Sequence, residues 1–84
     1  MIYLKEYIGR TIRDERVRQN LAVRDVCTTA GVSVGYLSEV ERGMKDPSSK
    51  FIYEVSHALG MTMSELLLRT LTTIEMDNRS RAWR

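Results

Sequence analysis

The chain has 84 residues, 43% of them hydrophobic and 29% charged, with a net charge of +2; this is the balance of one globular domain, not of a disordered or fibrous chain. Cys27 is the single cysteine, so an internal disulfide is excluded and a reducing, cytoplasmic setting is expected. No apolar run reaches bilayer length, and the first ten residues, with charges at Lys5, Glu6 and Arg10, lack a signal-peptide layout.

Helical spacing runs through the chain, and no run of β-branched residues alternates with polar ones. Leu4, Ile8 and Ile12 form an i, i+4 stripe that predicts a helix over residues 4–19, with Asn20 as a left-handed stop. Val23, Val26, Cys27 and Ala30 predict a short second helix over 23–30, ended by Gly31. Ser33 is placed to cap a third over 34–42, which turns Leu37 and Val40 inward and stops at Gly43. Ser48 is placed to cap a fourth over 49–59, with Ile52, Val55 and Leu59 inward and Gly60 behind them. Thr62 and Glu65 match a capping box for a fifth over 63–76, which carries Leu66, Leu67, Leu71 and Ile74. Residues 77–84 then read as a basic tail, either loosely ordered or held by DNA or a partner. The expected fold is all-α, a five-helix bundle, with residues 1–76 as its domain.

The second and third helices are short and joined by Gly31-Val32-Ser33. A glycine there permits a left-handed turn, so the two helices cross steeply as a helix-turn-helix. Val26, Cys27, Ala30, Val32, Leu37 and Val40 fill the wedge between them. This leaves Val34, Gly35, Tyr36, Ser38, Glu39 and Arg42 outward on the third helix, and a protruding helix with small residues on its first turn is what a major groove admits. Arg16 extends the first helix's inward stripe and Glu41 follows Leu37 by one turn, so the two opposite charges are expected to meet. Net charge alone says little, but residues 1–45 hold eight Lys/Arg against six Asp/Glu, while residues 46–76 hold two against four.

The stretch Leu21 to Gly43 resembles the lambda-repressor/Cro-like helix-turn-helix family, also called the xenobiotic-response-element family. The resemblance rests on the turn glycine, Tyr36-Leu37-Ser38, Glu41-Arg42-Gly43 and Pro47-Ser48 in register, and it covers roughly residues 5–70. Within that family, Val32 to Gly43 with the Ser48-Ser49 pair is similar to the actinobacterial Clp gene regulators, activators of protease genes. The resemblance implies an Arg16–Glu41 pair and sequence-specific transcription regulation by a homodimer on a palindromic operator. One departure stands out: where family members often have a capping side chain and then Gln, this chain has Ala22 and Val23. Arg24 next door is expected to take over phosphate binding.

The residues expected to hold the DNA backbone are Ser33, Arg42, Lys45, Ser48, Ser49 and Lys50, at helix starts or just after the third helix. Val34, Gly35, Ser38 and Glu39 are expected to face bases. Tyr36 has two readings: it reaches DNA, or its ring packs between helices with the hydroxyl at the rim. Leu68, Leu71 and Ile74, with Trp83 beyond them, are expected at the two-fold interface, because the fifth helix has more apolar surface than one stripe needs. His57 reads as a half-exposed helix residue and Cys27 as a small core residue. No nucleophile, metal cluster or phosphate loop accompanies them, so the expectation is no enzyme, no cofactor, no metal, no small-molecule ligand and no membrane. A toxin-binding antitoxin is the alternative, with residues 77–84 as its capture surface.

Overall fold

The computed structural model describes residues 3–82. Five helices follow in order: α1 (Leu4–Arg18), α2 (Val23–Ala30), α3 (Val34–Glu41), α4 (Ser49–Ala58) and α5 (Met63–Ala82). There is no strand among the described residues. The first four helices lie within one residue of their predicted spans.

Local chemistry sets most of the starts. Ser33 Oγ accepts from the Tyr36 amide (3.1 Å), and Ser48 Oγ accepts from the Phe51 amide (3.1 Å). At α5, Thr62 Oγ1 accepts from the Glu65 amide (3.1 Å) while Glu65 Oε1 accepts from the Thr62 amide (2.9 Å), a complete capping box. The Thr62 amide holds the Glu65 carboxyl below its ordinary pKa. α2 begins at Ala22, which has no capping side chain; the Ala22 amide instead donates to Asp25 Oδ2 (2.7 Å). Asn20 and Gly31 both take left-handed φ, at 63° and 72°, and each ends a helix.

The core lies at the centre of α1 to α4, closed by the start of α5. Ile8 and Ile12 meet Val26, Cys27, Ala30, Leu37, Val40, Phe51, Val55, Leu59, Met61 and Leu66. Burying each large aliphatic here contributes roughly 1.5–3 kcal/mol. Gly9 lets α1 reach the α3 backbone: a Cβ there would collide with the Val40 carbonyl oxygen and stand 3.1 Å from that of Glu41. Leu4 departs from the expected stripe. It is 60% exposed, because it lies at the helix start, beyond the reach of the core.

A second seam joins α1 to α5, and it is largely polar. Tyr7, Thr11 and Glu15 are buried along one side of α1, and Leu66 and Thr70 are buried on α5, which packs against α1. Their hydroxyls are satisfied at once: Thr11 donates to the Tyr7 carbonyl (2.8 Å), Thr70 to the Leu66 carbonyl (2.9 Å), and Tyr7 to Asp77 Oδ2 (2.9 Å). Asp77 is therefore no part of a free tail. α5 runs unbroken through residues 77–82, where the sequence predicts a tail, because the stripe Leu66, Thr70, Asp77 continues at helical spacing and Tyr7 anchors it.

Candidate nucleic-acid interface

α3 is held from behind by α1. Arg16 lies on its own helix's inward side and meets Glu41 in a two-pronged pair, Nε to Oε2 at 2.8 Å and Nη2 to Oε1 at 2.9 Å. A third donor, Nη1, reaches the Leu21 carbonyl (2.8 Å). The side chains are 13% and 6% exposed, so little water competes for them. The carboxylate's hydrogen bonds push the Arg16 pKa above its ordinary value despite burial. Cys27, close by, is a buried core residue, and burial raises its thiol pKa, which makes it a poor nucleophile.

With its back fixed, α3 turns the opposite side outward. Val34, Gly35 and Arg42 are exposed, and Ser38 and Glu39 are half-buried beside them. Arg42 Nε donates to the Ser38 carbonyl (3.3 Å), which leaves its terminal nitrogens free to reach out. Tyr36 packs: its ring stacks on Phe51 at 4.5 Å and 17°, and its hydroxyl donates to the Asp46 carbonyl (3.2 Å). Of its two readings, the geometry describes the second.

The starts of α3 and α4 face one hollow of about 440 Å³, whose lining includes Gly31, Ser33, Tyr36, Ser48 and Lys50. Two helix N-termini and a lysine favour negative charge there, with Glu54 on the rim opposing it. Lys45 and Ser49 are exposed on the loop and the first turn leading into α4. Arg24 is exposed on α2, and its guanidinium makes no hydrogen bond or ion pair among the described residues.

Sequence reasoning missed the charges that tie α1 to α5. Glu15, with its side chain only 5% exposed, pairs with Arg18 one turn on and with Arg69 of α5 (3.0 Å). The Arg18 hydrogen bond, more than burial opposes it, holds the Glu15 carboxyl below its ordinary pKa. The missed signal was a second stripe on α1, Tyr7-Thr11-Glu15, at i, i+4, i+8. His57 is exposed and rests against Tyr53, with ring centroids 4.4 Å apart. Among the described residues, no cluster of three or more His, Cys, Asp or Glu is placed to hold a metal, and no helix is long and apolar enough to cross a membrane.

α5 leaves an apolar stripe uncovered. Leu67, Leu68 and Leu71 are 42%, 62% and 52% exposed, and Ile74 is half-buried at its edge. Trp83, expected beside them, lies outside the described residues.

The helix-turn-helix family matches residues 12–66, most of α1 through the start of α5. The chain belongs to this family. This helix-turn-helix chain is 40% identical over 65 residues to the transcriptional regulator ClgR of Mycobacterium tuberculosis, across 77% of this chain and 58% of that protein. It is 34% identical over 79 residues to the HTH-type transcriptional regulator SlrR of Bacillus subtilis, across 92% of this chain and 52% of that one. It therefore spans little more than half the length of these relatives. The crystal structure of the clp gene regulator ClgR from Corynebacterium glutamicum matches with a TM-score of 0.88 at 31% identity, over 96% of this chain and 86% of that one. The restriction-modification controller protein C.AhdI from Aeromonas hydrophila matches at 0.71 and 26% identity, over 74% and 94%. The helix-turn-helix fold and the lambda-repressor/Cro-like resemblance expected from the sequence both stand.

Proposed function

We propose that this chain is a cytoplasmic, sequence-specific transcription regulator that is not an enzyme and binds a palindromic operator as a homodimer, with the clp protease genes as its targets. One observation carries the reading: α3 is locked from behind by Arg16–Glu41 and presents a first turn of Val34 and Gly35, flanked by capped helix starts and cations. Such a helix enters a major groove, where a carboxylate such as Glu39 accepts from a cytosine amino group and a valine touches a thymine methyl. Ser33, Ser48, Ser49, Lys45, Lys50, Arg24 and Arg42 surround it as backbone contacts. The likeness to ClgR supports the clp assignment. The exposed Leu67-Leu68-Leu71 stripe supports pairing with a second copy.

Selection of bound duplexes from a random pool tests the reading, with the clp promoters of the same genome as a directed comparison. An inverted repeat whose half-sites carry a C and a nearby T is expected. Glu39→Gln is expected to alter preference at one base pair by about 1–3 kcal/mol. Leu71→Lys is expected to leave a monomer by light scattering and to abolish the preference for paired half-sites. No enriched sequence, or a wild-type monomer at micromolar concentration, removes the corresponding part of the proposal.

A further inference from the structure

α1 carries four arginines, and three are occupied within the fold. Arg10 stands over the Tyr7 ring (5.4 Å) and near Asp77 (3.9 Å), Arg16 grips Glu41, and Arg18 pairs with Glu15. Arg13 is exposed and makes no hydrogen bond or ion pair among the described residues. A solvated arginine is ordinary; its location is what matters here.

Arg13 follows Gly9 by one turn, on the side of α1 that touches the α3 backbone. With Ser38, Glu41 and Arg42 it lines a groove of about 420 Å³ between α1 and α3. The groove's one carboxylate, Glu41, already has both oxygens engaged by Arg16. The charge that the groove offers to solvent therefore comes from Arg13 and from the free terminal nitrogens of Arg42. Asp14, the neighbouring carboxylate, lies toward α5 instead, where it lines hollows with Thr73. Glu39, on the outward face of α3, is not among the groove's lining residues. Tyr36 faces the other hollow, beside the start of α4; it and Ser38 are two residues apart on α3, so the two hollows flank that helix on different sides.

We propose that Arg13 and Arg42 together hold one phosphodiester of the DNA backbone in the α1–α3 groove. The backbone is then gripped on both flanks of α3: by the helix starts at Ser33 and Ser48 on one side, and by this arginine pair on the other. Ser38 and Arg42 belong both to the groove and to the face of α3 that meets the bases, so the phosphate site adjoins the reading surface. The proposal rests on the DNA-binding reading above and deepens it by adding a contact from α1.

The test uses the full chain and a selected duplex, with Arg13→Ala, Arg13→Lys, Arg42→Ala, the double alanine variant, and Arg69→Ala on α5 as a control for net charge. Dissociation constants are measured across a salt series, for selected and random DNA. Arg13→Ala is expected to weaken both DNAs by the same factor, roughly tenfold near 0.1 M salt, and to flatten the salt dependence by up to about one unit of log–log slope. Arg13→Lys keeps the charge and is expected to retain most of both. Because the two arginines share one phosphate, the double variant is expected to lose less than the product of the two single losses. Arg69→Ala is expected to bind as wild type. Wild-type affinity and slope for Arg13→Ala, an equal loss for Arg69→Ala, or single losses that simply multiply would each overturn the shared site while leaving the DNA-binding reading intact. A wild-type chain that binds no DNA would remove that reading itself.

Discussion

Glu15 and Arg16 are neighbours on α1, yet they leave the helix toward opposite sides of the domain. Arg16 turns to α3 and meets one acid, and both partners are shielded from water. Glu15 turns to α5 and meets two arginines whose side chains are 62% and 51% exposed. The first is a closed pair with matched hydrogen bonds; the second is a buried acid whose cations remain in water. A buried charge left without its partner is expensive, whereas a half-exposed one is simply rehydrated. The α1–α3 contact is therefore the rigid joint of the molecule and the α1–α5 contact the softer one.

The largest expected effect breaks the first joint. Glu41→Ala strands the Arg16 guanidinium and is expected to lose roughly 3–5 kcal/mol, which approaches the whole stability of a small domain. Glu15→Ala releases two arginines that regain water, and about 1 kcal/mol is expected. Urea unfolding of the two variants side by side checks this, and equal midpoints would erase the distinction between the joints.

The same contrast explains what could be read in advance. Arg16 and Glu41 each continue an apolar stripe, so periodicity alone aims both inward, and the wedge from Val26 to Val40 follows from the same rule. The α1–α5 seam escapes that rule because it is built from Tyr7, Thr11, Glu15, Thr70 and Asp77, residues that hydrophobic spacing counts as surface. They tolerate burial only because each finds a hydrogen-bond partner within its own helix or across the seam. Hence hydrophobic spacing alone predicts a tail where α5 continues to Ala82. On the candidate interface, Ser33 and Ser48 were legible as caps by residue type. The seating of Tyr36 on Phe51 depends on neighbours brought together by the fold, whereas the part of Asp25 at the start of α2 is local, an acid three residues after Ala22.

Acid separates the joints further. Glu15 is held below its ordinary pKa of 4.5 in the folded chain. Its stabilisation is therefore complete above the unfolded value and is lost as pH falls through the lower, folded one. Wild-type unfolding midpoints are expected to decline more steeply below about pH 4.5 than those of Glu15→Gln, whose amide does not titrate. Parallel curves would show that Glu15 contributes nothing to the acid response. The smallest effect is expected from Arg69→Ala. It leaves Glu15 with Arg18 and is expected to lower stability by about 0.5 kcal/mol; a loss as large as that from Glu41→Ala would make the α5 seam the rigid joint instead.

Gly9 gives the rigid joint a genetic signature. The collision a side chain would meet there is with main-chain oxygen, which no rotamer change on α3 can relieve. Mutational tolerance at position 9 is thus near zero, although the residue is buried behind α3 and has no side chain to offer a ligand. If the proposed function holds, a saturation library scored only by promoter output is expected to rank Gly9 with the proposed contact residues of α3. A parallel score for folded, accumulated protein is expected to move it out of that group and leave the proposed contacts behind.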